Sequence, residues 1–497
     1  MPDNDELQEE TQPETTAAPR GARARGILVV GARTVTGLVG LAAAAATILA
    51  ASVLPLPSYQ STPPAASVTP VPAAQQRVCA GPMLRLGDDA GGNATVAFAV
   101  GTPQVRHLAT NGTVNSSSIE QTEEPSGRTA TVLTLDPSQD NPELQPLLAG
   151  SQVQRLSAGG LAGLAAAECV EARADAWLVG GASTTGRTSL LTLANPGDVA
   201  ATVSLEIFAE GGRVDAPGAD GIVVQANSEV SFSLAGFAPD LVSPVVHVTS
   251  VGGKVVPHLQ QTTVRILEPG GIDIVGPAAQ PSTEVVIPGL VVVGHEQMEE
   301  KEGAPGYEDI MPVLRLFVPG EEAASARIAV TPQDGEPISV EFDLLPGKVN
   351  EFPFEHFEDG TYTVAVASDV PLVAGARATT VGASGGSDFV WLESAEVMNE
   401  QALIRVGSGA RAALHLSNPA ETDAVVSVAV DGSTAEPQTV TVPAGGAISV
   451  PAEQSTAYRL TGFDRLRVAV SYTGDGLLSG HTVSPTGPAA ERITVYP

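Results

Sequence analysis

The chain carries one passage twice, and that constrains its fold more than any other feature. LTLANPGDVAATVSLEI, Leu191 to Ile207, matches LHLSNPAETDAVVSVAV, Leu414 to Val430, with Asn195-Pro196 falling on Asn418-Pro419. Downstream, Val223 to Phe232 resembles Thr441 to Val450, and Val245 to His258 resembles Arg467 to His481. Trp177-Leu178 and Trp391-Leu392 precede the two copies. A degenerate version lies between them, in LRLFVPG (Leu314 to Gly320), LLPGKVNEF (Leu344 to Phe352) and YTVAVASDVPLVAG (Tyr362 to Gly375). Three related units of roughly 100 residues therefore follow one another, each burying a similar face.

Within a unit the pattern is that of strands. Val203, Leu205 and Ile207 alternate with Thr202, Ser204 and Glu206, the period of a half-buried strand. The 52 glycines and 39 prolines supply turns at short intervals. These features predict a mainly β fold of tandem immunoglobulin-like antiparallel β-sandwich repeats, with a β-propeller-like arrangement as the alternative. The expected divisions are a first exported segment over 78–170, then repeats over 171–280, 281–385 and 386–497. The best helix candidate is Leu161 to Ala174, LAGLAAAECVEARA.

The N-terminus has a different logic. Residues 1–33 combine an acidic start with a basic collar, Arg20, Arg23, Arg25 and Arg33. Residues 34–54 carry no charge and as a helix would extend about 32 Å, one hydrocarbon thickness. This predicts a single transmembrane helix, with a cleaved signal peptide as the competing reading. The arginines place the N-terminus in the cytosol and residues 55–497 outside, with 55–77 as a Pro-rich stalk. Cys79 and Cys169, the two cysteines, then lie where oxidation is possible, and a disulfide between them is the preferred reading.

The run from Cys169 through Trp177, Gly180-Gly181, Gly186-Arg187-Thr188 and Leu193-Ala194-Asn195-Pro196-Gly197 resembles an actinobacterial family of secreted or membrane-anchored envelope proteins classed as a domain of unknown function. The resemblance is sharp over 169–208 and spans most of 78–497. The second copy departs from it, because the Gly-Gly step and the Gly-Arg pair are missing after Trp391. The resemblance implies an envelope location and an all-β ectodomain, and no activity.

Signals of chemistry are weak. GASGG, Gly382 to Gly386, matches the G-x-S-x-G elbow at Ser384, but a strand-like stretch follows where an elbow needs a helix. The seven histidines are scattered without ligand spacing, so no metal or other cofactor is expected. His258 and His481, near the ends of related units, suggest a shared structural role. The acidic stretch His295 to Asp309 lacks the ligand order of a calcium loop and reads as a solvated insertion.

The net charge of −31, with only three lysines, argues against nucleic acid as a partner. The expected function is that of a non-enzymatic, membrane-anchored envelope module, structural or protein-binding. The alternative is a cell-wall carbohydrate binder using Trp177 and Trp391 as stacking rings, with core tryptophans as the competing reading. An envelope hydrolase ranks third. The expected partners are the membrane, through 34–54, and an envelope protein or wall glycan.

Overall fold

The structure is a computed structural model that describes residues 74–87, 96–121, 129–137, 147–354 and 357–486, the short strands Ala66–Val68 and Ile493–Val495, and the isolated Val39 and Ala42. The chain divides into two compact units. The smaller contains the two short strands, which pair antiparallel. The larger, Pro70–Glu491, holds every other described strand and helix apart from Val39 and Ala42, which belong to the smaller. The tail 1–33 and the expected span 34–54 lie outside the described residues save for Val39 and Ala42. No helix among the described residues is long and apolar enough to cross a membrane.

The larger unit is mainly β, built of curled antiparallel sheets. Its last repeat shows the plan most simply, in seven strands: Met398–Arg405, Arg411–Ser417, Ala424–Val430, Gln438–Val442, Ala447–Ala452, Ala457–Gly474 and Leu477–Thr482. The sixth strand is long, and each of its halves serves a different group. Its first half pairs with the first and third strands, and the third pairs with the fourth. Its second half pairs with the second and seventh, and the second pairs with the fifth. Gly462, at φ 88°, precedes the crossing, where a Cβ would meet the Val425 carbonyl oxygen at 2.9 Å. The sheet curls on itself, and apolar residues of both groups, such as Leu414, Val426, Leu460 and Val468, meet in one core.

Strands within Ser282–Glu393 repeat this plan, with Gly360–Val381 as the long strand. Within Asp175–Val275 the long strand is broken into Val245–Gly252 and Val256–Arg265. Alternation decides which side is buried: along Ala201–Ala209, Val203, Leu205 and Ile207 enter the core. The segment before the three repeats is a reduced fourth copy. Gln75–Cys79, Thr131–Leu135 and Val114–Ser118 form one group, and Leu161–Glu168, Leu148–Ala158 and Gln104–Ala109 the other. No fourth or fifth strand occurs among its described residues, and Glu120–Gln121 adds in parallel to Ser228–Ser233 of the next repeat.

Three readings of the sequence change. Leu161–Glu168 is a strand, not the start of a helix, because small residues are needed where it packs: a Cβ on Gly163 would sit 2.5 Å from Asp388 Oδ1. Ser387–Glu393 closes the middle repeat by pairing with Gly360–Val381, so the last repeat opens at Met398 and not at 386. The counterpart of Arg467–Gly474 is Val256–Arg265, not Val245–Gly252, since each pairs with the second strand of its repeat. His258 and His481 therefore stand on different strands and are not equivalent.

The four closing strands, Leu161–Glu168, Glu268–Val275, Ser387–Glu393 and Leu477–Thr482, pack successively against one another. Asp388 pins them: its carboxylate accepts backbone N–H groups from Leu164, Ile272 and Leu478 at 2.8, 3.1 and 3.2 Å, one from each of the other three.

Candidate functional site

Cys79 and Cys169 form a disulfide, fully buried beneath Leu133 and Leu148. It ties the first strand of the reduced copy to the residue after its closing strand. Beside it Arg77 donates to Glu168 at 3.3 Å and to the Cys169 carbonyl at 3.1 Å.

The two tryptophans are interior. Trp177 is 5% exposed, with His247 stacked on it at 3.9 Å and Phe317 at 5.6 Å. Trp391 is fully buried, its indole N–H donates to Gln261, and the guanidinium groups of Arg315 and Arg377 lie 4.3 and 5.5 Å from its ring. Neither ring offers a face to a sugar, and the stacking role expected for them has no surface to act on.

Ser384 sits in the turn joining Gly360–Val381 to Ser387–Glu393, closed by the Gly382 N–H to the Gly386 carbonyl. No hydrogen bond joins it to a histidine among the described residues. His258, His415 and His481 are buried, and burial lowers each to about 4, so they are neutral at pH 7.

The acidic stretch is not a freely solvated loop along its whole length. It begins as a short helix, His295–Lys301, and ends at Asp309, which draws three arginines together. Arg187 contacts it at 2.6 Å, Arg265 hydrogen-bonds it, and Arg377 lies 3.9 Å away. Burial pushes this carboxyl up, but the three cations outweigh it and hold it well below the ordinary range.

Near the closing strands lie four buried carboxyls. Burial raises Glu168 to about 7 and Glu393 to about 8, and Asp273 and Asp388 well above their usual value. Asp273 accepts the Trp391 backbone N–H at 2.6 Å. These groups hold backbone in place, and no cluster among the described residues is arranged to bind a metal.

The surface feature that stands apart is in the middle repeat. Among the described residues strand Ile338–Leu344 pairs on one side only, with Ala324–Pro332, which makes it an edge. Val340 lies opposite the buried Ile328, so its row faces inward, yet Ile338, Val340 and Phe342 are 66%, 48% and 37% exposed. The mouth of the curled sheet is open here. The cleft, of about 490 Å³, runs from this row to Phe352, Phe354 and Phe357, with Phe342 and Phe352 ring centroids 4.5 Å apart. In the last repeat Val440, at the corresponding place opposite Val426, is partly buried and packs onto the core. Sequence reasoning missed this site, although four of the 11 phenylalanines falling between 342 and 357 were a legible signal.

The family model for a group described as a family of unknown function matches residues 121–453, well over half of the chain. The chain belongs to that family, DUF5719. No curated protein matches this DUF5719 member. Among solved structures, the crystal structure of Thermotoga maritima 1070 is 19% identical, covering 24% of this chain and 93% of its own, with a TM-score of 0.19. A score that low carries no argument about this protein.

Proposed function

We propose that this protein is a membrane-anchored, extracytoplasmic interaction module without chemistry of its own, which captures an extended segment of a protein partner at the open mouth of its middle repeat. In this reading residues 34–54 are the anchor, 55–497 lie outside the cytosol, and each repeat is an immunoglobulin-like sandwich of the mainly β plan. One observation carries the proposal: an edge strand with one open side whose inward row, Ile338, Val340 and Phe342, is exposed beside a phenylalanine-lined cleft. An exposed edge invites strand addition, and the pockets beside it select alternate side chains.

The outward row and its approach fix the partner's charge. Glu341 and Asp343 alternate with the apolar row, and Asp334 and Glu336 precede it, against Arg327 at 3.9 Å from Glu341. An alternating apolar and cationic segment fits both rows. The test is binding of the synthetic peptide (Val-Lys)₄ to the full-length chain by calorimetry. Saturable binding that is lost on Val340→Lys and on replacing the peptide's second and third valines by proline supports the reading; no binding, or binding indifferent to either change, overturns it.

A further inference from the structure

Arg467 is a buried cation that makes no ion pair among the described residues, with Glu284 acting on it only from beyond contact distance. It is 5% exposed, its Nη2 donates to the Glu284 carbonyl at 3.2 Å, and its Nε has no partner. No carboxylate oxygen among the described residues lies within 4.0 Å of it. Desolvating a guanidinium without a partner is unfavourable, and buried charges in proteins are as a rule paired.

The fold does not require a cation there. Pairing Leu191 with Leu259, Leu314 with Ala376 and Leu414 with Val470 puts the three repeats in register, and three residues earlier on the long strand stand Val256, Val373 and Arg467. Both valines are fully buried. One repeat has therefore replaced a core valine by an arginine, at a cost in stability.

Arg467 lies where two cavities meet between the middle and last repeats. One, of about 680 Å³, also takes in Lys254, which makes no ion pair among the described residues, and the Arg173–Glu396 pair at 2.5 Å. The other, of about 240 Å³, is floored by small residues of both repeats, among them Ala329, Ala365, Ala367 and Gly446, and continues past Thr331 and Ala447 into a third of about 180 Å³. We infer that this furrow binds an extended peptide whose terminal carboxylate is received by the Arg467 guanidinium.

The chemistry selects that ligand over others. The planar fork of a guanidinium takes a carboxylate with two parallel hydrogen bonds. Asp175, Glu284 and Glu396 line the same cavity and repel a dianionic phosphate more than a monoanionic carboxylate. None of the lining residues carries a Phe, Tyr or Trp ring, so a sugar has nothing to stack on, whereas a floor of Ala, Thr and Gly admits a flat, extended backbone.

The site is separate from the phenylalanine cleft, and its test is independent of the one above. N-acetyl-trialanine with a free carboxylate and with a terminal amide are titrated into the full-length chain, followed by NMR of the peptide. The carboxylate should bind saturably and at least about tenfold more tightly than the amide, a ratio worth about 1.4 kcal/mol. Arg467→Val, which restores the residue of the sister repeats, should abolish that preference while the unfolding midpoint holds or rises; Arg467→Lys should keep part of it. Val340→Lys should leave it unchanged. Equal binding of acid and amide, no saturable binding, a preference that survives Arg467→Val, or displacement by equimolar inorganic phosphate would each overturn the assignment.

Discussion

The carboxylate of Asp388 lies 2.8 Å from the backbone nitrogen of Leu164, a residue 224 positions earlier in the chain. With Ile272 and Leu478 bound to the same side chain, one residue joins closing strands from all four copies. Asp388→Ala would orphan three buried N–H groups, each costing about 1–3 kcal/mol, and should destabilise the chain by more than about 3 kcal/mol. Asp388→Asn keeps one carbonyl acceptor and should cost less. Denaturant unfolding of both variants, with the slope compared to wild type, checks the order.

The buried carboxyls predict an unusual pH profile. A carboxyl whose folded value is raised binds its proton more tightly in the folded state, so it costs stability as pH rises above the unfolded value toward the folded one. With Glu168 at about 7 and Glu393 at about 8, that loss continues from pH 6.5 to 8. The three buried histidines act oppositely, losing stability as pH falls from 6.5 toward 4. Stability should therefore fall as pH rises from 6.5 to 8.5, with the raised Asp273 and Asp388 adding to the loss. Glu393→Gln, measured by thermal unfolding across that range, should flatten the alkaline limb.

Asp309 answers to the same physics with the opposite sign. Its depressed carboxyl marks strong pairing, and Asp309→Asn leaves Arg187, Arg265 and Arg377 crowded together without their shared anion. The expected cost is about 3–5 kcal/mol, the range for a broken buried pair. Because Arg377 also donates to the Asp309 carbonyl at 2.6 Å, the stretch 295–311 should loosen before the rest, seen as faster hydrogen exchange there.

Much of this architecture was legible, and the illegible part has a physical reason. The Asn-Pro repeat held because Asn195 and Asn418 perform the same local task, and alternation of small apolar residues announced strands wherever one side met solvent. The reduced copy escaped notice because most of its described strands are short and lack the Asn-Pro spacing by which its sisters are recognised. Leu161–Glu168 looked helical because an Ala-rich run has high helix propensity, and only the crowding against Asp388 and Ile272, a tertiary fact, makes it a strand. The cleft and Arg467 were hidden for a related reason: each is a departure of one repeat from its sisters, visible only after the strands are in register.

The disulfide closes a loop across a sequence separation of 90, which in the chain-entropy model stabilises the fold by about 4–5 kcal/mol. Both sulfurs are buried, so reductant alone should act slowly on the native chain. Cys79→Ala/Cys169→Ala should lower the unfolding free energy by that amount, read from the denaturant midpoint and slope, and wild type unfolded under reducing conditions should match the double variant.

The Asn-Pro turns offer the sharpest check of equivalence between repeats. Asn195 donates to the Val199 and Val224 carbonyls at 2.8 and 3.2 Å and accepts the Gly197 N–H at 3.0 Å. Asn418 donates to Thr422 and Val442 at 2.8 and 3.2 Å and accepts from Ala420 at 3.0 Å. In the middle repeat Val318 takes this place, fully buried, and the turn forms without the side chain. Replacing Asn195 by alanine removes three hydrogen bonds and replacing Asn418 removes four, the fourth to the Pro443 carbonyl at 3.2 Å, and each leaves buried carbonyls, for a cost of about 2–3 kcal/mol each. The two share no contacts, so the double variant should lose the sum within about 0.5 kcal/mol. Val318→Asn, by contrast, should destabilise the middle repeat, because its core has already closed over an apolar side chain. Urea unfolding of the four chains would separate equivalence of position from equivalence of role: a neutral Asn418→Ala would mean that the matching geometry carries no matching energy.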